Sequence, residues 1–150
     1  MKISKQKLLL VKENEFEYNQ KINSPVELFN FIVNVLKINN EPQEIVYLLS
    51  LNTKNQLISF TELARGGLNM CNITPSEVFK NVLLSNSNKF ILVHNHPSGD
   101  PTPSKSDIEI TKRIIEASKI MGLEFLDHLV ICDNKYKSIM KDFYGINLEV

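Results

Sequence analysis

Two histidines and an aspartate have the spacing of metal ligands carried by a strand and by the helix that follows it. His94 and His96 stand two positions apart, at the end of an apolar run that predicts a strand. Because residues i and i+2 of a strand point to the same face, both imidazoles can reach one ion. Asp107 follows eleven positions after His96, in the first turn of a predicted helix. Two histidines, a carboxylate and a water are an open ligand set for a catalytic zinc.

These residues also have simpler explanations. A His-x-His pair often arises by chance, and Ser104 with Asp107 forms the S-x-x-D pattern of a capping box. The two roles of Asp107 do not exclude each other, because a cap fixes the start of the helix and so fixes where the carboxylate lies. A helix N-terminus also favours an ionised aspartate. On spacing alone, Asp107 could be a metal ligand, a helix cap or both.

The predicted strands must position these side chains. Residues 43–51 are apolar on both faces, which is typical of a strand inside a sheet. A turn at residues 52–55 leads to a second strand at 56–63, so these two strands are expected to form a hairpin. Further strands are predicted at residues 68–73, 89–94 and 123–132, the last of these being the final strand.

Three helices are predicted between the strands. Ser24, Thr74 and Ser104 each precede an acidic residue by three positions, which is the signature of a helix start, and proline follows Ser24 and Thr74 at the first helical position. The proline-rich segment 97–103 cannot be helical. Gly122 is expected to end the third helix. Strands and helices mix, so we expect an α/β fold with a mixed β-sheet flanked by helices.

The composition indicates a single globular domain. The 150 residues are about one domain's worth, and 17 basic residues balance 17 acidic ones. A neutral chain lacks the bulk charge that attracts polyanions, which argues against strong nucleic-acid binding but leaves a local patch open. Residues 1–23 are expected to form an N-terminal arm, in which 8–11 could add a strand, and residues 24–150 the domain.

Cysteine usage and apolar runs bear on the compartment. Cys71 and Cys132 are 61 positions apart, and we expect both to be buried packing residues. The apolar runs are far shorter than the ~20 residues of a membrane helix, and the N-terminus lacks a signal-peptide core. With no disulfide framework, a cytoplasmic location and no membrane partner are expected.

A longer pattern surrounds the histidines. The string VHNHPSGDPTPSKSDIEIT reads His94-x-His96, seven residues, Ser104, two residues, Asp107. It resembles the JAMM (MPN-plus) zinc metalloprotease motif. The segment HNHPSGDPTPS, together with DHLVI at residues 127–131, resembles more specifically the RadC family, a bacterial branch of that superfamily. The likeness runs from about residue 24 to about residue 138 and implies an MPN/JAMM domain with a fold related to the cytidine deaminases.

The resemblance also implies roles for single residues. His94, His96 and Asp107 match the ligands of a Zn²⁺ ion, and Ser104 matches the residue that holds the metal's water and stabilises the oxyanion. Glu44, at the start of the first core strand, matches the general base, with Glu41 and then Glu62 as weaker candidates. The implied activity is hydrolysis of a peptide or isopeptide bond by a zinc-activated water, so a peptide or protein substrate is expected.

Some features stay open at this stage. His128 could be a core histidine or part of the pocket wall, and Asp127 beside it could orient a histidine ligand. Asn95, between the two histidines, fits the RadC branch. The alternative function is a non-catalytic zinc-containing module that recruits a partner or is linked to DNA repair. Zinc deaminases are excluded, because the chain has neither H-x-E nor P-C-x-x-C.

Overall fold

The computed structural model describes residues 3–5, 7, 9, 11–18, 22, 24–66 and 73–148. In this part of the chain a five-stranded mixed sheet is flanked by helices on both faces, which confirms the predicted α/β fold. The strands are β1 (Glu44–Leu51), β2 (Leu57–Gly66), β3 (Lys89–Asn95), β4 (Glu124–Cys132) and β5 (Lys135–Ser138). The helices are α1 (Pro25–Phe31), α2 (Pro75–Leu84), α3 (Lys105–Met121) and α4 (Ile139–Tyr144).

The strand order is β2-β1-β3-β4-β5, so β1 is internal as its two apolar faces predict. Of the four strand pairings, only β3 with β4 is parallel, and α3 makes the crossover between them. The predicted hairpin is formed by β1 and β2. Its turn is closed by Asn52, whose Oδ1 accepts the N–H groups of Lys54 at 2.9 Å and Gln56 at 3.0 Å.

Side-chain caps start the three predicted helices as expected. Ser24 accepts the N–H of Glu27, and Thr74 and Ser104 form complete capping boxes. Gly122 ends α3 with φ 67°, a conformation that glycine adopts without strain. Beyond α1 the chain continues through a π-helical turn (Ile32–Leu36) and a short 3₁₀ turn that lead into β1.

Each face of the sheet carries its own apolar core. On one face, α1 and the turns after it pack on the sheet. On the other, α2 and α3 cover a second core that includes Val46 and Leu92. His94 lies on this second face, since it follows Leu92 by two positions on β3. The candidate ligands therefore sit between the sheet and the helices α2 and α3.

The structure corrects the predicted end of the chain. The strand expected at 123–132 is present as β4 but is not the last, because β5 and α4 follow it. β5 has only four residues, two of them lysines, so it carries too little apolar alternation to signal a strand. Most of the strand expected at 68–73 lies outside the described residues, and its last residue, Ile73, is not in a strand.

The described part of the N-terminal arm contains no strand. Leu9 and Val11, from the run expected to add one, are exposed and irregular, and the other two residues of that run lie outside the described residues. The arm instead makes aromatic contacts, with Phe16 against Phe60 at a centroid distance of 5.4 Å.

The described residues also bear on the cysteines and on the length of the apolar helices. Cys132 is a buried thiol, as predicted, and Cys71 lies outside the described residues. Among the helices that the structure describes, none is both long and apolar enough to cross a bilayer.

Candidate metal centre

Two histidines share one face of the sheet at the point where β3 ends. The N–H of His96, just past the strand, donates to the carbonyl of Ile131 on β4 at 2.8 Å, which keeps the chain extended beyond Asn95. The Nε2 atoms of His94 and His96 are 3.0 Å apart. His94 is buried, whereas His96 is partly open to solvent. The strand alternation thus brings the two imidazoles together, as the sequence predicted.

The first turn of α3 brings Asp107 against both imidazoles. Its Oδ1 lies 3.4 Å from His94 Nε2, and its Oδ2 lies 3.6 Å from His96 Nε2. The capping box fixes this turn, because Ser104 Oγ accepts the Asp107 N–H at 3.2 Å and Asp107 Oδ2 accepts the Ser104 N–H at 2.6 Å. One carboxylate therefore serves the cap and faces the histidines at the same time.

The loop after β3 orients His96. The backbone carbonyl of Asp100 lies 2.9 Å from His96 Nδ1. Since a carbonyl can only accept, Nδ1 carries a proton, and in the neutral ring Nε2 is the nitrogen whose lone pair could bind a metal ion. The side chain of Asp100 closes a turn in this loop, because its Oδ1 accepts the N–H of Thr102 at 2.9 Å.

The charges of this cluster favour an ionised Asp107. Burial opposes ionisation, but the imidazoles of His94 and His96, 3.4 and 3.6 Å from the carboxylate, outweigh it and hold the pKa of Asp107 far below its ordinary range. The Asp107 carboxylate, 3.6 Å from His96 Nε2, is also the main reason that the pKa of His96 is raised. Metal binding needs deprotonated ligands, and Asp107 already has that charge state at neutral pH.

The ligand atoms of His94, His96 and Asp107 fit one ion. They all lie within 4.8 Å of one another. Tetrahedral bonds of about 2.0–2.1 Å separate neighbouring ligand atoms by about 3.4 Å. The observed distances of 3.0, 3.4 and 3.6 Å lie on either side of that value. This group could therefore hold a metal ion, and its two nitrogens and carboxylate are donors that suit zinc.

A small cavity beside this group contains Glu44. Val46 pairs with His94 in the sheet, and Glu44 lies two positions before Val46, so the three side chains share a face. The charge of Glu44 contributes to the raised pKa of His96. The cavity has a volume of about 10 Å³, which is room for about one water. Its walls are formed by Glu44, Val46, Ile73, His94, Asp107, Ile110 and His128.

The other candidate residues lie at different places. Glu41 and Glu62 each form an ion pair with Arg65, with N···O distances of 2.8 Å, on the half-exposed surface near the end of β2. Neither lines the cavity. Ser104 reaches the ligand group through its bonds with Asp107 and is exposed at the start of α3.

Asn95 fastens the start of β1, where Glu44 lies. Its Oδ1 accepts the N–H of Ile45 at 2.8 Å, and its Nδ2 donates to the carbonyls of Gln43 at 2.9 Å and Glu41 at 3.2 Å. These three bonds bracket Glu44 on both sides along the chain. Asn95 therefore holds the backbone of the candidate base from the strand that carries the histidines, a role that the sequence did not reveal.

Asp127 does not take the role that the sequence left open for it, orienting a histidine ligand. Its Oδ1 accepts from Ser138 Oγ at 2.9 Å and from the N–H of His128 at 2.7 Å, and neither candidate histidine ligand is its partner. His128 instead contacts a candidate ligand, with Nε2 2.9 Å from His94 Nδ1. His128 is thus both fully buried and part of the cavity wall, which joins the two alternatives that the sequence left open.

Thr111 was missed in the sequence. Its Oγ1 lies 2.7 Å from His128 Nδ1 and 2.6 Å from the backbone carbonyl of Asp107. A signal was present, because Thr111 follows Asp107 by four positions, and such residues lie on the same face of a helix.

Comparison with known proteins identifies relatives over most of the chain. A UPF0758 protein of Clostridium perfringens is 43% identical over 119 residues, which cover 79% of this chain and 52% of that relative. A UPF0758 protein of Carboxydothermus hydrogenoformans is 42% identical over 116 residues, with coverages of 77% and 50%. One from Staphylococcus haemolyticus is 42% identical over 130 residues, with coverages of 87% and 56%. The chain spans about half the length of these relatives.

A family model gives the more specific match. Residues 22–144 match the family described as the RadC-like JAB domain. This range includes the five strands of the sheet, the group of His94, His96 and Asp107, and Glu44. The chain therefore belongs to the RadC-like JAB domain family.

Proposed function

We propose that this chain is a zinc-dependent hydrolase of JAMM type that cleaves peptide or isopeptide amide bonds. The observation that supports the proposal is the position of Glu44 in the cavity that His94 and Asp107 also line. A general base must lie within reach of the water that it deprotonates. Of the three glutamates that the sequence offers for this role, Glu44 is the one at the cavity.

The proposed mechanism assigns one task to each side chain. A zinc ion bound by His94, His96 and Asp107 would supply Lewis-acid chemistry, lowering the pKa of a water toward about 7 and polarising the amide carbonyl. Glu44 would accept the proton of the attacking water and deliver it to the leaving amine. Ser104 would donate its hydroxyl to the oxyanion as the amide carbon becomes tetrahedral.

The same proposal covers the organisation of the chain and its surroundings. We assign the hydrolase to residues 24–150 and treat residues 1–23 as an arm. A peptide or protein is the proposed substrate. The buried free thiol of Cys132 is compatible with the reducing cytoplasm, which is the proposed location.

The Glu44→Gln variant tests the central assignment. It keeps the size of the side chain and one acceptor oxygen, but it replaces the other oxygen by an NH₂ group and so removes the base. We expect it to bind zinc as the wild type does and to lose ~10²–10⁴-fold of the hydrolytic rate. The measurement is zinc content by elemental analysis, followed by a peptide and isopeptide cleavage screen with and without chelator.

Glu62→Gln is the matched control, because it makes the same chemical change at a glutamate paired with Arg65 outside the cavity. It should cleave at close to the wild-type rate. Full activity in Glu44→Gln would remove Glu44 from the mechanism. If the zinc-loaded wild type cleaves nothing in a broad amide panel, the hydrolase proposal fails, and the non-catalytic zinc-containing module becomes the better explanation.

A further inference from the structure

A continuous chain of hydrogen bonds runs through the buried side of the metal centre. It begins at the backbone carbonyl of Asp107, which lies 2.6 Å from Thr111 Oγ1. Thr111 Oγ1 lies 2.7 Å from His128 Nδ1, and His128 Nε2 lies 2.9 Å from His94 Nδ1. The other nitrogen of His94 faces the Asp107 carboxylate at 3.4 Å. This series of hydrogen bonds therefore starts at the backbone of Asp107 and returns to the carboxylate of the same residue.

The direction of this chain follows from its first member. A carbonyl can only accept, so the single hydroxyl proton of Thr111 points to Asp107. The Thr111 oxygen must then accept from His128, which places the proton of the neutral His128 ring on Nδ1. His128 Nε2 is left with a lone pair and accepts the Nδ1 proton of His94. His94 consequently presents a lone pair at Nε2, the atom that faces His96 and Asp107.

The reversed direction would block the metal site. If Thr111 donated to His128, the His128 proton would lie on Nε2 and would point at His94 Nδ1. His94 would then carry its own proton on Nε2, aimed at the ligand group, and this nitrogen could not bind a cation. Threonine commonly bonds to the carbonyl four residues back in a helix. Here that bond determines, through His128, which nitrogen of His94 carries the proton.

We infer that His128 is a positioning residue for the metal centre, and that Thr111 sets its orientation, so that His94 is held in the tautomer whose Nε2 can bind the ion. The inference deepens the proposed function and rests on the same ligand group. Partners of this kind hold the ring of a metal-binding histidine, and their loss typically weakens metal affinity by ~10–100-fold. His96 obtains the same tautomer independently from the Asp100 carbonyl.

Substitutions at Thr111 test the inference with little change of volume. Thr111→Val keeps the branched shape but loses the hydroxyl, and Thr111→Ser keeps the hydroxyl but loses a methyl group. We expect Thr111→Val to bind zinc ~10–100-fold more weakly than the wild type and Thr111→Ser to bind it nearly as well. Affinity is measured by competition with a chromophoric chelator. His128→Phe, which also removes the chain, should match Thr111→Val if it folds.

The tautomer itself can be observed without metal or activity. The chain contains three histidines, so two-bond ¹H–¹⁵N spectra of the metal-free protein at pH 8 should resolve three rings. In the wild type, all three should carry a proton on Nδ1. In Thr111→Val, His94 and His128 should lose this preference, whereas His96 should keep it. This pattern is specific to the hydrogen-bond chain and would not follow from a general loss of stability.

Two results would overturn the inference. One is a wild-type His94 with no proton on Nδ1. The other is zinc affinity in Thr111→Val and His128→Phe equal to that of the wild type. Neither readout needs hydrolysis, so a wild type that binds zinc but cleaves no amide would end the hydrolase proposal and leave this inference standing.

Discussion

At the scale of single residues, Asp107 contacts both the helix cap and the histidines with the same carboxylate oxygen, and the proposed function gives its capping partner Ser104 a second role as well. Asp107 Oδ2 accepts the Ser104 N–H and also lies 3.6 Å from His96. The cap determines where α3 begins and hence where the carboxylate stands. Stability and chemistry are therefore coupled at these two residues, and a substitution must be measured for both.

Ser104→Ala separates the two contributions. It removes an N-cap acceptor, so the free energy of unfolding should fall by ~1 kcal/mol. It should also slow amide hydrolysis by more than the added unfolded fraction explains, because the proposed oxyanion donor is lost. Chemical denaturation and initial rates measured on the same preparation give the two values.

Ser24→Ala is the control, since Ser24 caps α1 on the opposite face of the sheet. It should lose similar stability and keep its rate. A Ser104→Ala protein that is less stable but hydrolyses at the wild-type rate would reduce Ser104 to a cap.

At the scale of elements, Asp127 attaches α4 to β4. Its Oδ1 accepts from Ser138 Oγ, the side chain that caps α4, and from the N–H of Met140 at 3.4 Å. Its Oδ2 is buried with no hydrogen-bond partner among the described residues. Burial raises the pKa of Asp127 to about 6. The contact between β4 and α4 is therefore made by the carboxyl group of Asp127, and burial in the folded protein disfavours its ionised form.

This shift predicts a pH dependence. The folded-state pKa of Asp127 lies above its unfolded value, so the folded protein binds this proton more tightly. The resulting stability is fully present below pH ~4 and is lost as the pH rises through about 6. The loss is on the order of 3 kcal/mol. Asp127→Asn has no such titration, so the free energy of unfolding of the wild type relative to Asp127→Asn should fall between pH 4 and pH 7.

Denaturant unfolding at each pH provides the measurement. Other titrating groups largely cancel, because both proteins contain them. A stability difference that stays constant across this range would show that Asp127 does not titrate there.

At the scale of the whole molecule, the candidate ligands join two layers of the fold. His94 comes from the central strand β3, and Asp107 comes from α3, which packs over the sheet. An ion held by both layers binds the folded state alone, so it should stabilise the entire fold. Zinc at 100 times its Kd should add about 2.7 kcal/mol.

For a chain of this length, that stabilisation should raise Tm by about 5–10 °C. Calorimetry with and without added zinc measures the shift, and a chelator should reverse it. His96→Ala lacks one ligand and should show little of the shift. An equal rise of Tm in the wild type and in His96→Ala would mean that the stabilising ion binds elsewhere.

The local parts of this arrangement were predictable. The three predicted N-caps, the internal strand β1 and the ligand spacing all depend on residues a few positions apart, so their patterns are visible along the chain. The hydrogen bond between His128 and His94, in contrast, could not be predicted from local patterns. It depends on the parallel register in which Leu92 of β3 faces His128 of β4, and no local pattern records that register.

The contacts of Asn95 and Asp127 could not be predicted from local patterns either. The partners of Asn95 lie about 50 positions earlier in the chain, and those of Asp127 lie in elements too short to be predicted. Neighbouring residues suggested that Asp127 serves the histidines, but alternation along β4 turns it to the face opposite His128. Side chains that bridge elements therefore have to be located in the fold.

The bonds of Asn95 also determine where the chain can change in length. They fix Glu44 relative to His94 and His96 at one end of the sheet. The connections at residues 52–56, 85–88 and 122–123 all lie at the opposite end, where β1, β3 and β4 have their other termini. Insertions there leave the spacing of the metal centre intact. New recognition loops, or an engineered fusion, belong at that end, whereas segment 97–103 has a length set by the distance from His96 to Ser104.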